Sequence, residues 1–214
     1  MLTHAASLLL LLLPQSSEPP HAGGEESKAG APQDLTELSL EDLMNVEVEV
    51  VSAARHAQSL SSAPAAIFVL TSAELRRSGA TSIPEALRLV PGVNVARLDS
   101  NRWAVTIRGF NSQFANKLLV LVDGRSVYTP LFSGVWWDTL DVPMADIERI
   151  EVVRGPGGAL WGANAVNGII NIITKPASET LGNQLSLLIG NEDKFIGYVR
   201  HGETTEQGAW RAWA

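Results

Sequence analysis

The stretch Asp146–Lys175, D-I-E-R-I-E-V-V-R-G-P-G-G-A-L-W-G-A-N-A-V-N-G-I-I-N-I-I-T-K, decides the fold of this chain. Its first part, Ile147–Val153, interleaves β-branched apolar residues with charged ones, which is typical of a partly exposed strand. Gly155–Gly158 then ends that strand, because glycine and proline favour turns. Ile169–Thr174 is a nearly continuous apolar run, as in a strand covered on both faces. The stretch therefore predicts a strand, a glycine-rich loop and a second strand.

The glycine-rich loop does not fit either common phosphate-binding motif. A phosphate loop needs lysine directly after its last glycine, but Ala163 follows Gly162. The dinucleotide fingerprint needs a third glycine at position 160, where the chain has Leu160. We therefore predict no nucleotide site in this loop.

The composition excludes several classes of protein. The chain has 214 residues, a net charge of −7 and no cysteine. An acidic chain is poorly suited to nucleic acid as its main partner, since that role needs a basic surface. Without cysteine there is neither a disulfide framework nor a thiolate metal site. The four histidines are scattered, and no Ser-His-Asp or Cys-His set is visible, so we predict no catalytic residue, no metal site, no cofactor and no enzyme activity.

The N-terminal residues do not resemble a folded domain. Ala5–Leu13 is an apolar run of signal-peptide length and too short to span a bilayer, so residues 1–22 are predicted to be a signal peptide. A buried helix is the alternative. Residues 23–45 are predicted to be a flexible segment, because much of their composition cannot bury enough apolar surface to order the chain. Within that segment, Asp34–Asn45 has the pattern of a short helix.

Residues 46–53 alternate valine with glutamate and then end in small residues. In an extended conformation the alternation places Val46, Val48 and Val50 on one face. Two interpretations follow. The segment is either an ordinary edge strand of the following domain or a strand that adds to the sheet of a partner protein.

Local signals divide the next part of the chain into short elements. Thr71 and Glu74 have the spacing of a capping box, and Gly79 can adopt the left-handed conformation that ends a helix. Ser82 and Glu85 repeat the capping-box spacing before a second helix, which Pro91 is predicted to end. Asp123-Gly124 predicts a tight hairpin turn after the apolar run 118–122.

Several of these motifs together resemble a known family. E-R-I-E-V-V-R-G-P, L-W-G and A-x-x-G-x-I-N-I-I-T-K, and before them P-E-A-L-R-L-V-P-G-V, I-R-G-F and L-V-L-V-D-G-R-S-V-Y, are similar to the plug domain of TonB-dependent outer-membrane receptors. The resemblance covers about residues 46–176. It implies an α+β fold for residues 59–176, a small mixed β-sheet with short flanking helices, lodged in the lumen of a barrel in the Gram-negative outer membrane.

The resemblance also implies a function, the energised uptake of scarce solutes such as ferric siderophores, haem or cobalamin. The N-terminus would be periplasmic, and the C-terminal domain of TonB would pair by β-strand addition with a TonB box. That box is predicted to comprise Val46, Glu47, Val48, Glu49, Val50, Val51, Ser52 and Ala53. The alternative function is a plug-like periplasmic interaction module without transport activity.

Two loops of the predicted plug are candidates for contact with an iron chelate or a similar ligand, because loops at the outward tip of the family's plug touch the ligand. Their candidate residues are Asn111, Gln113, Phe114, Tyr128, Phe132, Trp136 and Trp137. For the two tryptophans, packing on the core or on the barrel wall is the competing interpretation.

A group of charged residues is the candidate for contacts between plug and barrel: Arg108, Glu148, Arg149, Glu151 and Arg154. Pairs in a confined lumen would be less screened than pairs on a free surface. The alternative is that these residues lie on solvated strand faces.

Residues 177–214 change to a strand-and-turn pattern. Leu185, Leu187 and Ile189 fall on one face of the first strand, with Ser186 on the other. Strands of this kind with aromatic residues near their ends match outer-membrane barrel strands weakly. We therefore expect residues 177–214 to be the first strands of an antiparallel transmembrane β-barrel that faces lipid, and we expect this barrel to be truncated.

Overall fold

A five-stranded mixed sheet forms the centre of the protein. Across this sheet the strands lie in the order β3 (Ile67–Thr71), β8 (Ile147–Val153), β9 (Gly168–Thr174), β6 (Leu118–Val122) and β7 (Arg125–Ser126). The computed structural model describes residues 49–52, 54–63, 65–191 and 194–214. Strand β6 runs parallel to β9, and the other neighbouring pairs are antiparallel. The predicted α+β fold with a small mixed sheet is confirmed.

Some sequence-based predictions lie outside the described residues. These are the signal peptide at 1–22, the flexible segment at 23–45 with its short helix, and positions 46–48 and 53 of the predicted TonB box. The described part of the chain belongs to one compact unit that begins at Glu47.

The deciding stretch supplies the two longest strands of the central sheet. Strand β9 lies between β8 and β6, and its alternate side chains pack into different cores. Ile170 and Ile172 join the larger cluster, while Ile169 joins the smaller one beneath the glycine-rich loop. The apolar run of β9 is therefore explained by burial on both faces, as predicted.

Two short helices and a hairpin cover the larger core. Helix α1 (Ser72–Ser78) and helix α2 (Ile83–Leu87) follow β3, and strands β4 (Val93–Arg97) and β5 (Trp103–Ile107) pair as an antiparallel hairpin. A short helix α3 (Gly158–Trp161) lies in the glycine-rich loop between β8 and β9. The two-residue strand pair β1 (Glu49–Val50) and β2 (Gln58–Ser59) precedes β3.

The capping box of α1 is present as predicted. The Glu74 amide donates to Thr71 Oγ1 over 3.3 Å, and the Thr71 amide donates to Glu74 Oε2 over 2.8 Å. Gly79 ends the helix with a φ of 70°, a conformation that costs glycine little. The Asp123-Gly124 turn is also confirmed, since both residues have positive φ between β6 and β7.

The predicted capping box of α2 is wrong. Glu85 reaches past Ser82 and accepts hydrogen bonds from the Thr81 amide (3.1 Å) and the Thr81 hydroxyl (2.9 Å). Thr81 offers the carboxylate two donors, and the Ser82 side chain makes no capping hydrogen bond. The helix also ends earlier than predicted, because from Arg88 onwards the hydrogen bonds join residues three apart.

The two helix starts provide a matched pair for mutagenesis. Thr71→Ala removes a formed cap and should lower the free energy of unfolding by about 1 kcal/mol. Ser82→Ala changes a similar sequence motif but removes no capping hydrogen bond, so its free energy of unfolding should stay near that of the wild type. Denaturant titrations of both variants measure the difference, and equal losses would contradict the assignment.

A separate three-stranded antiparallel sheet follows the central sheet. It comprises β10 (Gly182–Leu188), β11 (Ile196–Thr205) and β12 (Gly208–Trp213), paired in sequence order. One face carries Leu185 and Leu187, which are 71% and 62% exposed, whereas Arg200 and Arg211 on the other face are largely buried. In the described part of the chain no helix has the length and apolar character needed to cross a membrane.

Candidate functional site

The described part of the predicted TonB box is a strand only at Glu49–Val50. This strand pairs with β2, and its alternation leaves Glu49 exposed while Val50 is buried. At Val51 the chain turns, and the Arg55 amide donates to the Val51 carbonyl over 2.9 Å. Arg55 has a φ of 64° in this turn. The segment therefore bends where an uninterrupted strand was expected.

The carboxylate of Glu151 holds the residues at this bend. Its Oε2 atom accepts hydrogen bonds from the Val51 amide (3.0 Å), the Ser52 amide (2.8 Å) and the Ser52 hydroxyl (2.6 Å). The other oxygen, Oε1, accepts from Arg149 Nε over 2.9 Å. A buried charge is costly unless it is paired and hydrogen-bonded, and here both oxygens have partners.

Glu151 is fully buried, which the sequence did not indicate. Strand β8 lies between β3 and β9, so Glu151 faces Val69 on one side and Asn171 on the other. The expected partly exposed strand face is therefore wrong at this position, where the exposed fraction is 0%. Its hydrogen-bond partners come from Arg149 on its own strand and from residues 51 and 52, about a hundred positions earlier in the chain.

The glycine-rich loop contributes a second contact to the same bend. Trp161, at the end of α3, donates from Nε1 to the Ser52 carbonyl over 2.8 Å. The guanidinium of Arg55 lies 4.5 Å from the centre of the Trp161 ring, within cation–π distance. Ser52 is therefore held through its amide, its hydroxyl and its carbonyl.

The other charged residues predicted to face a barrel make contacts within this unit. Arg108 Nη2 donates to the Arg154 carbonyl, and Arg154 Nη1 donates to the Pro91 carbonyl, both over 3.2 Å. Arg149 bridges Glu148 at 2.5 Å and Glu151 at 2.9 Å. These contacts do not test whether the charged residues face a barrel, and that role stays a prediction.

The two predicted ligand loops lie against each other. The rings of Phe114, Phe132 and Trp136 form a triangle with centre-to-centre distances of 5.4, 5.0 and 5.2 Å. Gly134 permits this approach, because a Cβ atom there would lie 2.7 Å from Phe114 Cα. Trp137 is buried in the larger core, which agrees with the packing interpretation for that tryptophan. Tyr128 and Gln113 are half-buried.

An open cavity of about 510 Å³ lies beside the first of these loops. Phe110, Asn111, Phe114 and Lys117 contribute to its lining. Phe110 is 73% exposed, and Lys117 Nζ lies 4.2 Å from the centre of its ring. Arg108 and Phe110 both have positive φ, a conformation that strains residues with a side chain and that often marks functional loops.

Asp146 is a buried carboxylate that the sequence analysis did not select. Only 1% of it is exposed, and it forms ion pairs with Arg200 of β11 and Arg211 of β12. The Tyr198 hydroxyl also donates to Asp146 Oδ2 over 3.2 Å. This site joins the start of β8 to the polar face of the three-stranded sheet. No local pattern marks it, because its partners lie more than fifty residues further along the chain.

The arrangement in the described residues contains no cluster of three or more His, Cys, Asp or Glu side chains that would hold a metal ion. Its features are a docked N-terminal segment, an aromatic loop cluster and a buried charge site. A family model described as TonB-dependent Receptor Plug Domain matches residues 59–169, just over half of the chain. The chain belongs to this family.

Curated relatives of the plug agree with this assignment. Vitamin B12 transporter BtuB of Vibrio vulnificus is 34% identical over 157 residues, which cover 72% of this chain and 25% of the relative. Iron-regulated outer membrane virulence protein of Vibrio cholerae is 36% identical over 154 residues, covering 67% of this chain and 22% of the relative. The chain thus spans about a quarter of the length of the curated relatives it matches.

Solved structures show the same architecture. Pseudomonas aeruginosa FpvA, bound to a heterologous pyoverdine with iron, superposes with a TM-score of 0.61 at 25% identity, covering 77% of this chain and 22% of that chain. FpvAI in complex with pyocin S2 gives a TM-score of 0.58 at the same identity and covers 77% of this chain and 22% of that chain. The sheet, the glycine-rich loop and the aromatic loops described above are therefore parts of a receptor plug.

Proposed function

We propose that this chain is the N-terminal part of a TonB-dependent receptor that takes up a scarce solute across the Gram-negative outer membrane. In this proposal residues 59–176 are the plug, which closes the lumen of a barrel. Residues 1–22 are the signal peptide, residues 23–45 are a periplasmic segment, residues 46–53 are the TonB box, and residues 177–214 are the first barrel strands. The chain carries out no chemical reaction of its own.

The observation that carries this proposal is the two-sided character of the sheet β10–β12. Its polar face contacts the plug through Arg200 and Arg211, which pair with Asp146. Its opposite face presents Leu185, Leu187 and Val199, all more than half exposed. An exposed apolar patch of this kind is unfavourable in water. Barrel strands alternate in this way, with apolar residues towards lipid and polar residues towards the lumen.

The aromatic loops and their cavity are the part of the plug proposed to contact the solute. The triangle of Phe114, Phe132 and Trp136 and the exposed Phe110 offer flat apolar surfaces. Asn111 and Lys117 add polar groups at the cavity, a combination common in ligand pockets. One relative is named a vitamin B12 transporter, and another is named an iron-regulated outer membrane protein. The similar structure of FpvA contains a bound pyoverdine with iron. Cobalamin or an iron chelate is therefore the proposed class of solute.

The proposed mechanism is a gated pore. Solute bound at the outer loops alters the plug, and the TonB box becomes available on the periplasmic side. The C-terminal domain of TonB then adds to residues 46–53 as a strand, and the backbone hydrogen bonds carry the pulling force. A periplasmic interaction module without transport is the less favoured function, because it leaves the apolar face of β10–β12 without a use.

A peptide binding experiment tests the coupling step. A peptide of residues 44–56 should bind the purified C-terminal domain of TonB, and the Val50→Pro peptide should bind at least tenfold more weakly. Proline removes an amide donor and blocks strand pairing. The matched control is His56→Pro, which places proline outside residues 46–53 and should leave the affinity unchanged. Calorimetry or fluorescence anisotropy measures the three affinities. Equal binding by all three peptides would contradict coupling through this segment.

A further inference from the structure

We propose that Glu151 is the positioning residue that holds residues 51 and 52 of the proposed TonB box against the plug, and that its hydrogen bonds to them must break before TonB can pair there. The proposal rests on the proposed function for its physiological meaning. The anchor itself rests only on the contacts between residues 51–52, Glu151 and Trp161.

While Glu151 holds the bend, residues 51 and 52 cannot also pair with a partner strand. In an extended strand, successive amides point in opposite directions, because the backbone is pleated. Here the amides of Val51 and Ser52 both donate to one oxygen of Glu151, at 3.0 and 2.8 Å. A partner strand therefore cannot pair with residues 51 and 52 in a regular ladder while Glu151 holds them. The anchored and paired states therefore need different backbone conformations at residues 51 and 52, and they compete for the one amide that would face the partner strand.

The anchor is a charged carboxylate in a fully buried site, which makes its release costly. Glu151 is fully buried, and on strand β8 only Arg149 pairs with it. Hydrogen bonds to an ionised carboxylate are roughly twice as strong as neutral ones. If residues 51–52 leave, one oxygen of a buried carboxylate loses all three of its donors. This loss favours the closed state and sets a threshold for release.

The glycine-rich loop adds a second point of attachment at the same residue. Trp161 donates to the Ser52 carbonyl, and Arg55 stacks on the Trp161 ring. Both anchoring elements, β8 and α3, belong to the stretch of sequence that forms the centre of the plug. A rearrangement of that sheet or loop would therefore change how firmly the TonB box is held.

Hydrogen–deuterium exchange of the full chain tests the anchor directly. Glu151→Gln removes the charge and presents an amide group to donors, so the peptide covering residues 49–57 should exchange roughly tenfold faster or more. The matched control is Glu148→Gln. Glu148 is on the same strand and pairs with the same arginine, and it has no hydrogen bond to residues 51–52. This control should exchange at the wild-type rate.

A second variant separates the anchor from general loosening of the plug. Ser52→Ala removes one donor from the segment and changes no residue of the central sheet. It should accelerate exchange at residues 49–57 by a smaller factor, while the amides of β9 stay protected. Wild-type exchange rates in both Glu151→Gln and Ser52→Ala would overturn the proposal. Equal acceleration by Glu148→Gln and Glu151→Gln would do the same.

TonB binding to the full chain distinguishes this proposal from the proposed function. If Glu151 holds the box closed, Glu151→Gln should bind the C-terminal domain of TonB more tightly, by up to the factor measured in exchange. If the isolated peptide binds TonB but Glu151→Gln binds no better than wild type, the anchor does not limit access and the proposal is wrong. If exchange accelerates but the peptide does not bind TonB, the anchor stands and the coupling function is contradicted.

Discussion

Asp146→Ala should destabilise the protein by about 3–5 kcal/mol, because it removes the carboxylate on which two arginines and a tyrosine converge. Breaking a buried ion pair by deleting one partner is costly, since the other charge is left in a site it cannot easily leave. Arg200 and Arg211 are both only 11% exposed. Little water is therefore available to replace the lost carboxylate.

Asp146→Ala should loosen the three-stranded sheet before it unfolds the rest of the protein. Asp146 connects β8 with strands β11 and β12, so its loss should release the three-stranded sheet from the plug. Arg211 retains hydrogen bonds to the Lys175 carbonyl at 2.5 Å and to the Thr174 hydroxyl at 2.8 Å. These remaining bonds are to neutral acceptors and cannot balance the charge. Residues 182–213 should therefore become sensitive to protease before the central sheet does.

Denaturant titration in detergent measures the loss of stability, and limited proteolysis measures its location. Asp141→Ala is the matched control, because the side chain of Asp141 is exposed and its backbone carbonyl accepts from Trp213 Nε1 whatever the side chain is. That variant should unfold within about 0.5 kcal/mol of the wild type. A similar loss for both aspartates would refute a specific role for the Asp146 site.

Gly168→Ala should cost about 3 kcal/mol, an unusually large effect for the addition of one methyl group. A Cβ atom at Gly168 would lie 2.6 Å from the Val153 carbonyl oxygen and 2.7 Å from Ile107 Cδ1. The first of these is a backbone atom of the neighbouring strand β8, so a side-chain rotation cannot relieve the contact. Either the first residues of β9 move away from β8 or the strands separate.

Gly158, in the glycine-rich loop before β9, offers a control for the same change of glycine to alanine. A Cβ atom at Gly158 would meet its nearest neighbour, the Ala165 carbonyl oxygen, at 3.9 Å, which is an ordinary contact. Gly158 is also the first residue of helix α3, where alanine is favoured over glycine. Gly158→Ala should therefore leave the midpoint of denaturant unfolding unchanged or raise it slightly. If Gly168→Ala unfolds at the same midpoint as the wild type, the close packing of β9 against β8 is not what requires glycine there.

Taken together, the two variants separate two functions of the deciding stretch. Gly168 allows β8 and β9 to approach within the central sheet, and Asp146 joins that sheet to the strands that follow. Loss of Gly168 should disturb the plug itself. Loss of Asp146 should leave the plug folded but release the three-stranded sheet from it. Proteolysis patterns of the two variants should differ accordingly.

Several features of the fold followed from the sequence because the interactions behind them are local. The capping box of Thr71 and Glu74 joins residues three positions apart, and the Asp123-Gly124 turn needs only two residues with positive φ. The apolar run of β9 predicted burial on both faces without any knowledge of the neighbouring strands. The motifs of residues 46–176 likewise identified the family, which the match over residues 59–169 confirms.

Local signals failed where two residues competed for one group. The spacing of Ser82 and Glu85 was the same as that of the Thr71 cap, but the Glu85 carboxylate bonds to Thr81 instead. Sequence spacing identifies which groups are within reach, and the backbone conformation at the helix start decides which of them meet.

The sequence by itself determined the plug fold, the cap of helix α1, the Asp123-Gly124 turn and the membership of its family, because these depend on residue type and short spacing. Only the tertiary structure decided that Glu151 is buried and that Asp146 is a junction. Their partners lie about 100 and 54 positions away in the chain. On a strand, a glutamate that holds a distant backbone has the same sequence pattern as a glutamate in solvent. What distinguishes them is the set of donors that folding brings to the carboxylate.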